Sequence, residues 1–273
     1  MVGRDRELAL LRRLYQRSAA EGQPNLVTIY GDPGVGKSRL VAEFGAWAEG
    51  QDPAPTIVRG RCLPYGDGVT YWPLAEILKG LAHIRDSDAT EVALEHVQRL
   101  GADLITVDVA TNPAKATAAL AYSIGVEDPA FSFGSMEPRE VSLKIHAAWR
   151  SLFSSLAGRT PVVAVIDDIH WADQALLDLL EELAERVVGP TFLICPARPE
   201  LTERRPGWGG GKRNVSSVGL DPLTALESDR LVGLLLSVAD LPSSVHGRIL
   251  ERAEGNPFFL EEIVRHLIDE GVI

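Results

Sequence analysis

Gly31-Asp32-Pro33-Gly34-Val35-Gly36-Lys37-Ser38 decides the reading of this sequence. The stretch fits G-x-x-x-x-G-K-[ST] and stands between an apolar run, 26–30, and a helix-forming run, 37–48. Strand, glycine-rich turn and helix in that order build a phosphate cradle. Glycines let successive backbone N–H groups face inward, and the helix turns its positive end toward the anion. In that frame Lys37 bridges the β- and γ-phosphates of a nucleoside triphosphate, and Ser38 holds Mg²⁺ through its hydroxyl. Arg39 follows in the first helical turn. The bland alternative is a chance glycine-rich turn.

A second motif answers the first. Val162-Val163-Ala164-Val165-Ile166 is an unbroken apolar run, and Asp167-Asp168 follows it. Such runs suit a parallel strand buried on both faces, and ligands of open α/β sheets gather at the carboxyl ends of their strands. Asp167 is therefore placed to hold Mg²⁺, and Asp168 to orient or polarise an attacking water. Two turn-starting aspartates are the ordinary reading of the same letters. A further strand, 56–61, separates the two motifs. That order predicts the additional-strand type of P-loop NTPase, an α/β three-layer sandwich with a parallel sheet.

The rest of the chain fills in this frame. An amphipathic helix is predicted at 4–20, with Leu8, Leu11, Leu14 and Tyr15 on one face. Residues 72–157 contain no strand pattern but several helical stretches: one from Pro73, then 90–100, 113–123 and 138–156. They read as a helical insertion. After a helix at 173–187 come strands at 191–197 and 215–220. Between these lies Arg204-Arg205-Pro206-Gly207-Trp208-Gly209-Gly210-Gly211-Lys212-Arg213, read as a flexible, basic surface loop. From Pro222 the pattern is purely helical, at 224–237, 243–253 and 257–269. The division expected is an α/β core over 1–221, interrupted at 72–157, and an α-helical lid subdomain over 222–273. The last residues read as a truncation before a following domain.

Composition narrows the class. The chain has 273 residues, 45% of them hydrophobic, with 27 basic and 38 acidic side chains and a net charge of -11. Excess acid argues against a broad footprint on nucleic acid or anionic membrane. Nucleic acid is accordingly not expected as a partner of this fragment. No apolar run reaches the length of a membrane span, and the start, Arg4-Asp5-Arg6-Glu7, is not a signal peptide. A cytoplasmic location is expected. Cys62 and Cys195 fall in strand-like runs and read as buried reduced thiols.

Four segments occur together in order: Val2-Gly3-Arg4-Asp5-Arg6-Glu7-Leu8, the P-loop, Ile166-Asp167-Asp168-Ile169-His170-Trp171-Ala172-Asp173, and Gly255-Asn256-Pro257-Phe258-Phe259-Leu260-Glu261-Glu262. With them the chain resembles the AAA-type ATPase domain of the STAND class, signal-transduction ATPases with numerous domains. The likeness is greatest to the ATPase region beside class III adenylate/guanylate cyclase domains and in large bacterial LuxR-type regulators. The resemblance implies ATP and ADP as ligands. It sets Val2 and Gly3 against the adenine, with Arg4 supporting the nucleotide or the hinge. It packs Pro257 on the nucleotide and makes Arg198 the sensor arginine that reaches the γ-phosphate. His170 and Trp171 belong to the turn after the Walker B strand and are expected as a satisfied turn residue and core packing. Phe258, Phe259 and Leu260 are expected in the core. Tyr65-Gly66-Asp67-Gly68-Val69-Thr70-Tyr71-Trp72-Pro73-Leu74 recurs in such proteins without a chemistry that its residues explain.

Each assignment has a plainer counterpart. Val2 and Gly3 also suit a lead into the first helix, Pro257 a helix start, and Arg198 a surface arginine beside Pro199. The pattern also departs from fast AAA motors. The second acid is Asp168, one methylene shorter than glutamate, and no arginine finger is assignable. A slow, nucleotide-operated signalling switch is the leading expectation. Its effector and sensor domains would lie in the same polypeptide, with self-association on ATP binding. A non-hydrolysing nucleotide-bound interaction scaffold and a DNA-linked AAA ATPase are the rivals.

Overall fold

The structure is a computed structural model and describes residues 1–64, 70–104, 112–236 and 243–270. The run from Tyr65 to Val69 lies outside the described residues. Five strands form one sheet: β1 (Asn25–Tyr30), β2 (Thr56–Arg61), β3 (Val162–Asp167), β4 (Thr191–Ala197) and β5 (Val215–Gly219). Their order is β2-β3-β4-β1-β5, and every neighbouring pair is parallel. The strand that follows Asp167 in sequence thus inserts between the P-loop strand and the Walker B strand.

Side chains along the central strands alternate between two cores, as a period of two requires. Val27, Ile29, Val163, Val165, Phe192 and Ile194 face one side. There they meet Leu11, Leu14 and Tyr15 of α1 (Asp5–Glu21), and Leu40, Val41 and Phe44 of α2 (Lys37–Glu49). Leu26, Val162, Ala164, Ile166, Leu193 and Cys195 face the other side. That side is covered by α3 (Trp72–Ala82), α4 (Thr90–Leu104), α5 (Pro113–Ser123), α6 (Pro138–Ala157) and α7 (Gln174–Arg186). The architecture is the expected P-loop NTPase three-layer sandwich. A third apolar cluster joins Leu223, just before α9 (Ala225–Leu236), to Val232 of α9, Ile249 of α10 (Ser243–Ala253), and Leu260 and Val264 of α11 (Pro257–Asp269). The short α8 (Glu200–Arg204) follows β4.

Several sequence expectations need correction. Residues 204–213 are not a free basic loop. The Arg204 guanidinium donates to the carbonyls of His170 and Ala172. Arg205 pairs with Asp178 and Glu181, and Lys212 with Glu181 and Glu185. The Trp208 indole donates to Thr28 Oγ1 at 2.8 Å. The acidic face of α7 thus neutralises the loop and ties it down. Cys62 lies one residue past β2 rather than within it, and like Cys195 it is buried and free. Burial first, and nearby carboxylates second, push the Cys62 thiol up to about 12. Phe258 and Phe259 are half exposed, and only Leu260 of that trio is in the core. The first turn of α11 sets Phe258 against Gly34 of the P-loop, and Phe259 packs on Phe258 rather than in the helical cluster.

Candidate functional site

Parallel strands bring their carboxyl ends to one edge of the sheet, so the register places the candidate residues. Tyr30 pairs with Ala197, and Arg61 pairs with Asp167. The P-loop after β1, Arg198 after β4, Asp167 and Asp168 at β3, and Arg61 at β2 therefore share that edge. The turn from β1 into α2 needs glycine at two points: Gly34 has φ +81° and Gly36 φ +104°. Gly36 caps α2, whose first residue is Lys37. The Lys37 ammonium donates to the carbonyls of Gly31 (2.6 Å) and Asp32 (3.0 Å). Burial lowers its pKa, with Arg198 acting in the same direction and Asp168, Asp32 and Glu200 opposing. Ser38 and Arg39 are exposed, and Arg39 turns to Glu43 along the helix at 2.9 Å.

The two aspartates differ in surroundings. Burial raises the Asp167 carboxyl above its ordinary range, partly offset by Arg59, Arg61 and Lys37. Asp168 takes a left-handed backbone, φ +58°, and opens a single 3₁₀ turn, Ile169–Trp171. Its Oδ2 accepts from Nε and Nη2 of Arg61, both at 2.9 Å. Its Oδ1 faces His170 Nδ1 at 4.0 Å. The Arg198 guanidinium lies over the Trp171 ring, 6.0 Å from its centroid. His170 is not the satisfied turn residue expected, because it is buried with neither ring nitrogen hydrogen-bonded. Trp171 is exposed rather than core.

The helical end of the chain reaches the P-loop itself. Asn256 caps α11 by accepting from Phe258 N, and its Nδ2 donates to Pro33 O at 2.9 Å. Phe258 N also lies 3.3 Å from Gly34 O. A Cβ on Gly34 would meet Asn256 Oδ1 at 2.6 Å. Arg4 is buried and donates from one nitrogen to Val35 O (3.0 Å) and Asp221 O (2.6 Å). It therefore ties the start of the chain both to the P-loop and to the segment before α9. Gly3 sits against Glu227 and Leu223, where a Cβ would approach within 2.7 Å. Val2 is half-buried beside it, and Pro257 occupies the first helical position of α11.

The sequence reading overlooked Arg59, Arg61 and Asn256. Asn256 was legible as an N-cap before Pro257, and Arg61 as the last residue of a strand neighbouring Asp167. Among the described residues no three His, Cys, Asp or Glu side chains converge as a metal cage. The donors at hand are the Ser38 hydroxyl and the half-buried Asp167 carboxylate. They suit Mg²⁺, which binds through one or two protein oxygens with phosphates and water completing its shell. A carboxylate whose pKa burial raises is one that a bound cation would keep ionised.

Comparison with known proteins gives this geometry a context. A family model described as "AAA ATPase domain" matches residues 1–194, and one described as "Domain of unknown function (DUF8739)" matches 224–273. Uncharacterized protein R02095 of Rhizobium meliloti (strain 1021) is 26% identical over 277 residues, which cover 96% of this chain and 24% of that protein. The chain thus spans about a quarter of the curated relative it matches. Among solved structures, the Aeropyrum pernix ORC1 protein in complex with DNA has TM-score 0.51 and 14% identity, over 97% of this chain and 59% of that one. The STAND protein with a tetratricopeptide repeat sensor from Pyrococcus horikoshii has TM-score 0.45 and 18% identity, over 95% and 29%. The Thermotoga maritima RuvB Holliday junction branch migration motor has TM-score 0.48 and 14% identity, over 98% and 62%. At these identities the likeness is one of fold. One expectation is overturned: net acidity does not exclude nucleic acid as a partner, because the fold is shared with a protein held in a complex with DNA. Among the described residues no helix is long and apolar enough to cross a membrane.

Proposed function

The chain belongs to the AAA ATPase domain family, and from that premise we propose that it binds Mg·ATP at the P-loop edge and couples nucleotide state to the pose of its helical end. The observation that carries this is the seam at Gly34: Asn256 and the first turn of α11 rest on the P-loop with no room for one added carbon. A ligand shifts an equilibrium only by its differential contacts with the two states. Triphosphate would draw Lys37 away from the carbonyls of Gly31 and Asp32 and reshape the loop on which α11 sits. Ser38 and Asp167 would hold Mg²⁺, which would supply positive charge against the phosphates. In this reading Arg198 contacts the γ-phosphate, and Val2, Gly3, Arg4 and Pro257 border the nucleotide. Asp168 is the candidate for orienting water. Its pairing with Arg61 accords with slow hydrolysis, because a carboxylate already held by a guanidinium is a weak base.

Titration calorimetry with Mg·ATP tests the site. Lys37→Ala is expected to weaken binding by at least about 100-fold, the worth of a charged hydrogen bond pair. Unchanged affinity would refute the assignment. In single-turnover assays, hydrolysis in the parent chain that disappears in Asp168→Asn supports an ATPase. Binding with no turnover supports the nucleotide-bound scaffold instead. A role beside cyclase domains or in LuxR-type regulators is part of the same proposal and rests on the four motifs alone.

The second reading is a DNA-linked AAA ATPase. The fold shared with the DNA-bound Aeropyrum pernix protein favours it over the narrower signalling role. Fluorescence anisotropy with duplex DNA across a salt series decides it. Affinity that falls linearly in log salt supports contact with phosphates, and no binding at low salt rejects it.

A further inference from the structure

We propose, resting on the DNA-linked reading, that the outer face of α1 grips the phosphate backbone of duplex DNA without regard to sequence. Residues 4–17 carry five arginines against two acids, in a chain whose net charge is -11. Arg6, Arg13 and Arg17 are exposed. At about 100° per residue they lie within about 40° of one another round the helix. Asp5 and Glu7 stand about 100° to either side of Arg6, so neither sits on this stripe. Glu21 follows Arg17 by one turn without pairing to it.

Arg13 and Arg17 have no hydrogen bond, ion pair or ring contact among the described residues. Arg6 makes no ion pair either and acts on Glu227 only through its field, while that carboxylate is held by Thr224. Unlike Arg205 and Lys212, which α7 neutralises, these guanidiniums are left open to solvent. Arg12 and Tyr15 meet Trp47 of α2. The stripe begins about 100° further round, so it looks away from α2 and toward the side of β5. That strand pairs only with β1 and forms an edge of the sheet. From Arg204 through Leu220 the chain carries no acid, so this flank supplies no competing carboxylate.

Side-chain type and spacing select the partner. All three groups are guanidiniums, whose planar forks match phosphate oxygens. At a rise of 1.5 Å per residue they stand about 10.5 and 6 Å apart along the helix. Successive phosphates of one duplex strand advance about 3.4 Å, so three steps and then two bring a phosphate within reach of each arginine. A membrane would need an apolar face to insert, and that of α1 is buried in the core through Leu11 and Leu14. A protein partner would need apolar or aromatic anchors, and a single strand rings on which to stack. No large apolar side chain of α1 is exposed. Phosphate contacts without base contacts position a duplex but do not read it.

The test uses the full chain and two labelled duplexes of unrelated sequence, with anisotropy read across a potassium chloride series. Equal affinity for both is expected, with log affinity falling against log salt at a slope of about -3, near -0.9 per phosphate. Arg13→Gln with Arg17→Gln should reduce that slope by about 2 and weaken binding about tenfold per residue at about 50 mM salt. Arg13→Lys with Arg17→Lys should restore most of the slope. Both positions are exposed, so these variants should fold like the parent and keep its Mg·ATP affinity. Arg248→Gln with Arg252→Gln removes the same charge from the exposed surface of α10 and should change nothing. If the parent binds neither duplex at low salt, the DNA-linked reading and this face fall together. If it binds and the α1 glutamine variant keeps the parent slope, the reading stands and this face is refuted. An equal loss in the α10 variant would reduce the effect to net charge and also overturn the proposal.

Discussion

Gly34 and Asn256 meet across the seam between the P-loop and α11, so their substitutions should not add. Alanine at Gly34 would keep φ near +81°, a conformation that costs an L-residue about 1 kcal/mol. Its Cβ would also stand 2.6 Å from Asn256 Oδ1 and 2.8 Å from Phe258 Cβ. Asn256 must then retreat and give up its bond to Pro33 O, worth about 1 kcal/mol. Gly34→Ala should therefore cost about 2 kcal/mol. Asn256→Ala loses the same bond and the cap on Phe258 N, again about 2 kcal/mol in all. In the double variant the shared bond is lost once, leaving a coupling of about 1 kcal/mol. Urea midpoints at constant m give the four stabilities. Hydrogen exchange over α11 should report lost protection in each single variant. Additivity to within about 0.3 kcal/mol would show that the seam carries no energy and would remove the route from nucleotide to helical end.

Three further outcomes follow from the same edge of the sheet. Because burial raises the Asp167 pKa, the folded chain holds that proton more tightly than the unfolded chain, and stability falls as pH rises through the carboxylate range. Asp167→Asn should then raise the melting temperature of the nucleotide-free chain by about 2–4 °C while abolishing Mg·ATP binding; a lower melting temperature contradicts this. Arg61→Ala frees Asp168 Oδ2, and single-turnover hydrolysis should quicken several-fold, whereas a slower rate would make Arg61 a helper rather than a restraint. Burial lowers the His170 pKa, with Asp168 opposing, so the unfolded chain takes up its proton first and stability is lost as pH falls through 6.5. The pH dependence of unfolding between pH 7.5 and 5.5 should flatten in His170→Gln, and identical slopes would reject the cause.

The sequence by itself determined the sandwich and the cradle, since both depend on local patterns. Residues 31–38 need only their own glycines and the helix that follows to form a phosphate loop, and an apolar run ending in Asp167 is a buried strand wherever it is placed. Tertiary structure decided which neighbours those residues have. Nothing near Arg205 in sequence announces Glu181, so the basic loop looked free until the acidic face of α7 closed on it. Nothing near Phe258 says that its helix would start against Gly34, which leaves two phenylalanines half exposed and makes Asn256 a contact of the P-loop. His170 and Trp72 are about a hundred residues apart in sequence, and they line one cavity only because α3 packs closely on β2, where a Cβ on Gly60 would overlap Pro73. Helix, strand and turn preferences act over a few residues, whereas burial and charge compensation are settled between segments that only the folded chain brings together.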